Sequence, residues 1–158
     1  MTNGSSHFGV WIIAVWLAHA GVGCTRATHI VVATKDAVQY LEVTDWLAAH
    51  PLPAGQNISA TRLGRTDTVS YHLVQVRDRE APHLHATHDM VVTVLRGAGT
   101  LYVDGQAQAM RAGDIAVVPR GTPHYFANHD SEPSVAFVTF APPYDGTDQV
   151  PVEARQSE

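Results

Sequence analysis

The sequence predicts an all-β fold, a single small barrel or sandwich. Short apolar runs recur from residue 55 to residue 142, with turn signals roughly every eight to twelve residues. One of those turns, Asp104-Gly105, lies between runs at 100–103 and 106–110 and is a strong two-residue hairpin signal. A third observation is the run 90–95, almost continuously apolar, as in a strand covered on both faces. At 158 residues the chain is one domain long, and no internal repeat is visible.

In chain order, residues 1–23 contain no Asp, Glu, Lys or Arg and carry an apolar run at 8–22. The run is short for a bilayer span, which needs about 20 residues. It suits the apolar region of a secretory signal. Ala18-His19-Ala20 fits an A-x-A cleavage site, and Gly21-Val22-Gly23-Cys24 is similar to a bacterial lipoprotein box with Cys24 as the lipid-modified residue. The expectation is an exported protein, periplasmic or membrane-anchored, that touches a membrane only through this signal or a lipid. The competing reading is a buried N-terminal helix. Cys24 is the only cysteine, so the mature domain has no internal disulfide.

Residues 24–54 read as an N-terminal tether containing a short helix at Val43–Ala49, with Asp45 as N-cap and Pro51 as terminator. The barrel occupies 55–142. Its strands are expected at 57–63, 69–76, around His83 and His85, 90–95, 100–103, 106–110, Ile115–Val118 and 135–140. Gly64-Arg65-Thr66-Asp67 separates the first two as a turn. Ala141-Pro142-Pro143 ends the sheet, because proline cannot donate to a ladder. Residues 143–158 form a tail that is polar from Thr147 onward and is expected to fray.

Apolar content of 45% and charged content of 16% describe a globular chain. A net charge of -5 with Lys35 as the single lysine argues against nucleic acid as a partner. The ten histidines are the compositional anomaly. His83 and His85, one residue apart on an extended segment, point to the same side. His124 follows a strand and a Pro/Gly turn. Three neutral imidazoles brought to one inner face would hold a metal and leave coordination positions open.

These residues resemble the two motifs of the cupin superfamily, small double-stranded β-helix (jelly-roll) barrels. The first motif, G-x5-H-x-H-x3,4-E-x6-G, is matched by His83, His85 and Gly97. Its opening glycine is replaced by Arg77, and its glutamate falls on Met90. The second motif, G-x5-P-x-G-x2-H-x3-N, is matched at every position by Gly113, Pro119, Gly121, His124 and Asn128. The resemblance implies one divalent ion (Fe, Mn, Zn, Ni or Co) on His83, His85 and His124. The fourth position is left to His88, which shares the strand parity of Met90, to Asp89, or to water. Some thiol dioxygenases of this superfamily likewise lack the glutamate and bind iron through three histidines.

Met90, Tyr102 and Tyr125 are candidates for facing a ligand, and Arg77, Arg79 and Arg96 for lining a mouth that attracts an anion. Glu80 is the one further candidate base. Gly113 and Gly121 fit positions with φ > 0, and Asn128 fits a backbone-binding turn residue. Two functions follow from the resemblance. One is a dioxygenase-like or isomerising enzyme acting on a small molecule. The other is a module that captures a small molecule or metal without turnover. The resemblance also leaves a homodimer open.

Overall fold

A computed structural model describes residues 27–153. The elements are β1 His29–Ala33, β2 Val38–Glu42, α1 Val43–Ala49, β3 Ile58–Arg65, β4 Ser70–Val76, β5 His83–His85, β6 Asp89–Arg96, β7 Ala98–Val103, β8 Gln106–Arg111, β9 Ile115–Val118, β10 His124–Asn128, β11 Ser134–Ala141 and β12 Gln149–Pro151. Two five-stranded sheets, ordered β12-β5-β10-β7-β8 and β3-β4-β11-β6-β9, make the barrel, and β1-β2 is a separate hairpin. The all-β barrel is as expected, and the hairpin signal at Asp104-Gly105 is a turn in which both residues take positive φ, 48° and 83°. The expected signal segment at residues 1–23 and Cys24 lie outside the described residues. No helix among the described residues is long and apolar enough to cross a membrane.

Several expectations are corrected. The segment read as a tether is packed structure. Ile30 and Val32 of β1 and Val43 of α1 form one buried cluster with Leu63, Leu73 and Val135. This cluster covers one outer face of the second sheet, which explains why β4 is buried on both sides. Glycine at position 64 is required here: a Cβ would stand 2.8 Å from Val32 Cγ1. The strand therefore runs on through Gly64 and Arg65 with a register shift, where a turn was expected. The helix has its expected bounds, but its N-cap is Glu42, whose carboxylate accepts from the Asp45 N–H at 2.8 Å. β6 is less covered than its composition suggests, since Val91 is exposed.

The last correction matters most for the site. The C-terminal segment does not fray across its described length. β12 pairs with β5 in the register Gln149↔His85, Val150↔Leu84, Pro151↔His83. The barrel thus extends past residue 142 to residue 151.

Candidate metal centre

Alternation along β5 turns His83 and His85 inward and Leu84 away, and both histidines are buried. β10 lies between β5 and β7, with His124 directly opposite His83. Gly121 sets that register. At φ 75° it turns the chain so that its N–H donates to His85 O at 2.7 Å, three residues before His124. Asn128 closes the other end of β10, its amide donating to the carbonyls of Arg77, Asp130 and Glu132.

The three rings meet with centroids 4.4 Å (His83–His124), 5.2 Å (His83–His85) and 5.6 Å (His85–His124) apart. One ligand atom from each lies within 4.8 Å of the others. The hydrogen bonds identify that atom. His83 Nδ1 faces Ala81 O at 2.7 Å, His124 Nδ1 faces Thr122 O at 2.9 Å, and His85 Nδ1 faces Asp148 Oδ1 at 2.9 Å. All three partners can only accept, so each Nδ1 carries a proton, and in the neutral ring that leaves Nε2 with its lone pair. Three neutral imidazoles with free Nε2 atoms are the donor set of a borderline divalent ion, so the residues fit a metal. Burial pushes His124 down to about 4, with the charges of His83 and His85 adding to it and the Thr122 hydrogen bond opposing it. Burial also lowers His85, against the pull of Asp148. Both are therefore free of ring cations near neutral pH.

The candidates for a fourth ligand are placed elsewhere. The chain bends at residues 86–88, which breaks the parity that would have aligned His88 with Met90. The ring nitrogens of His88 face Asp148 and Pro143 O, and His88 is not among the three histidines whose ligand atoms converge. Asp89 is on the surface, held by Arg120 through a 2.8 Å ion pair that lowers its carboxyl to about 2. Met90 lines the cavity in front of the histidines.

That cavity has a volume of about 250 Å³ and lies inside the barrel. Its walls are mainly apolar, from Val74, Val92, Leu101, Met110, Phe126 and Phe140 among others. Tyr102 and Tyr125 are not among them. Tyr125 follows the inward His124, so it points outward, and its register partner Tyr102 stacks on it at 4.4 Å. Arg79 sits over Tyr125, Arg77 binds the carbonyls of Leu52, Pro53 and Gln56, and Arg96 is exposed. None of the three arginines lines the cavity, so they do not form the candidate cationic mouth. The carboxyl in the cavity wall is that of Glu80, whose Oε2 accepts from the Phe126 N–H at 2.9 Å. Burial pushes it above the usual carboxylate range, against the pull of His83 and that N–H. Tyr144, at ring distances of 5.1 Å from His85 and 5.3 Å from His88, completes the wall and was not anticipated from the sequence.

Comparison with known proteins bears on this arrangement. The cupin domain model matches residues 70–140, the span that holds all three histidines. An uncharacterized protein of Aquifex aeolicus is 42% identical over 98 residues, covering 62% of this chain and 80% of the relative. Among solved structures, an uncharacterized double-stranded β-helix protein from Klebsiella pneumoniae superposes with a TM-score of 0.57 at 21% identity, covering 68% of this chain and 94% of that one. Streptomyces Pac13, solved with uridine and described as a nucleoside dehydratase, superposes with a TM-score of 0.53 at 23% identity, covering 64% of this chain and 82% of that one. At these identities the structural likenesses speak for the fold alone. The matched domain, the barrel and both motifs agree, and this chain belongs to the cupin superfamily.

Proposed function

We propose that the protein is a metal-dependent cupin enzyme with dioxygenase-like chemistry on a small, largely apolar molecule that carries one oxygen donor. The observation that supports this most is the set of three free Nε2 atoms converging on the cavity with no carboxylate ligand beside them. His83, His85 and His124 would hold a divalent ion and would leave it coordination positions open. When bound, a redox-active ion supplies Lewis acidity and electrons. The chain's own residues do the rest. The apolar walls exclude water, and a cavity of about 250 Å³ admits only a compact ligand. Glu80 is placed to take a proton from the substrate, since burial brings its carboxyl closer to neutral pH. That group favours an enzyme over a capture module. Pac13, crystallised with uridine, shows that a cupin of this shape can hold a small polar-headed ligand.

The test is metal analysis of untagged protein, then oxygen uptake over a panel of thiols, phenols and small hydroxy acids. Glu80→Gln is expected to lower turnover roughly 100-fold or more while leaving metal content unchanged. Saturable binding of panel compounds with no product and no oxygen uptake would decide for the capture module.

We also propose export. The support is the charge-free apolar start with Ala18-His19-Ala20 and Cys24. Mass spectrometry of the mature N-terminus is expected to show a diacylglyceryl Cys24 or a Gly21 start. An intact Met1 on cytoplasmic protein would refute it.

A further inference from the structure

Two of the three ligand histidines are held by their own strand ends. His83 and His124 each give Nδ1–H to a backbone carbonyl two residues earlier, Ala81 O and Thr122 O. His85 is different. Its Nδ1 reaches a side chain 63 residues away, Asp148 Oδ1, in the segment whose sequence reads as a tail. We propose that Asp148 is the positioning carboxylate of the metal centre, and that the C-terminal strand is the device that delivers it.

The two oxygens of Asp148 have separate tasks. Oδ2 is pinned by the backbone N–H of Thr87 at 3.0 Å, by Thr87 Oγ1 at 3.0 Å and by His88 Nδ1. Oδ1 meets His85. A carboxylate anchored on one oxygen is rigid at the other, so it fixes both the tautomer and the ring angle of His85. The backbone reinforces this. Ala86 N–H donates to Asp148 O at 3.1 Å, and β12 continues the pairing along β5 to Pro151. The Asp148 side chain is only 8% exposed, so water does not compete for these donors. This arrangement also gives His88 a role: it helps hold Oδ2 and is not a ligand. A carboxylate partner makes His85 the more electron-rich donor of the three, which a backbone carbonyl does not do.

The inference rests on the three-histidine reading of the site. The test uses the full chain. Affinity for Zn²⁺ and Co²⁺ is measured by chelator competition, alongside circular dichroism and thermal unfolding of the metal-free protein. Asp148→Asn keeps the shape, but with its carbonyl oxygen held by the Thr87 and His88 donors it sets an amide N–H against the His85 Nδ1–H. It is expected to fold and to bind roughly 10- to 100-fold more weakly. Thr87→Val removes one anchor of Oδ2 and is expected to give a smaller loss in the same direction. Proton NMR of the Co²⁺-loaded protein adds a readout that strand docking alone would not move. Three exchangeable imidazole N–H resonances are expected, and only that of His85 should broaden or exchange away in Asp148→Asn. Native-like Asp148→Asn with affinity within twofold of wild type and all three resonances retained would overturn the proposal, leaving the strand as mere packing. Should Asp148→Asn fail to fold, the Thr87→Val affinity and its His85 resonance decide in the same way. A wild-type chain that binds neither ion would instead defeat the metal reading itself.

Discussion

His124→Ala protein is expected to fold and to lose its divalent ion, with affinity down roughly 100-fold or more. The fold survives because the buried clusters are assembled by strands and do not include the histidine ligands. One is built on Ile30, Leu73 and Val135, one on Met90, Val118 and Phe140, and one on Val94, Leu101 and Met110. The backbone of β10 keeps its ladders to β5 and β7 whatever side chain stands at 124. Metal analysis after dialysis, with circular dichroism as control, checks both halves. Unchanged metal content in His124→Ala, His83→Ala and His85→Ala would remove these residues from the ligand set. The same variant changes the acid response of the metal-free protein. His124 titrates at about 4 when folded and near 6.5 when unfolded, so the unfolded chain binds the extra proton as pH falls. Metal-free wild type should therefore lose stability between pH 6.5 and 4, by on the order of 3 kcal/mol from this residue. His124→Ala should lack that component in urea titrations across the same window.

The parts of the site that were legible in the sequence are those set by local rules. The H-x-H alternation needs only a strand, and the second motif encodes its own turn through Gly121, so His83, His85 and His124 could be grouped without coordinates. The same alternation would have turned Tyr125 outward, because it neighbours an inward His124. The register Tyr125↔Tyr102 then takes Tyr102 with it. Strand parity does not carry from His88 to Met90 by rule, because the strand is interrupted at residues 86–88. The β1-β2 hairpin has an apolar run too short to announce the face it covers. Asp148 and Tyr144 were illegible for a deeper reason. A three-residue strand of exposed residues, Gln149–Pro151, carries no pattern of its own, and it exists because β5 offers a free edge. Long-range pairing of that kind is decided by tertiary context, which propensity does not record.

Met90→Glu is expected to couple stability to the ion far more tightly than in wild type. Met90 pairs with Phe140 and Val118, sits in a cluster with Val118, Val138 and Phe140, and lines the same cavity as the three histidines. It also occupies the place where the cupin motif carries glutamate. In the metal-free variant a carboxylate at this position is buried among apolar side chains with no cation beside it. It must stay charged at a cost of roughly 3 kcal/mol or more, or take up a proton and titrate well above the usual range. Either way the metal-free variant should unfold at lower urea than metal-free wild type, and that deficit should shrink as pH falls from neutral, since the raised carboxyl binds its proton in the folded state. Adding the ion reverses the balance. The carboxylate then has a divalent cation to compensate it and supplies an oxygen ligand that a thioether does not. Affinity for Mn²⁺ or Fe²⁺, which prefer oxygen to sulfur, should rise roughly tenfold or more. The rise in unfolding temperature on adding saturating Mn²⁺ should accordingly exceed that of wild type. Small anions such as azide should bind the loaded variant more weakly, because the centre has lost one unit of positive charge and one open position. Equal Mn²⁺-dependent shifts in variant and wild type, with unchanged azide affinity, would mean that position 90 does not address the ion at all.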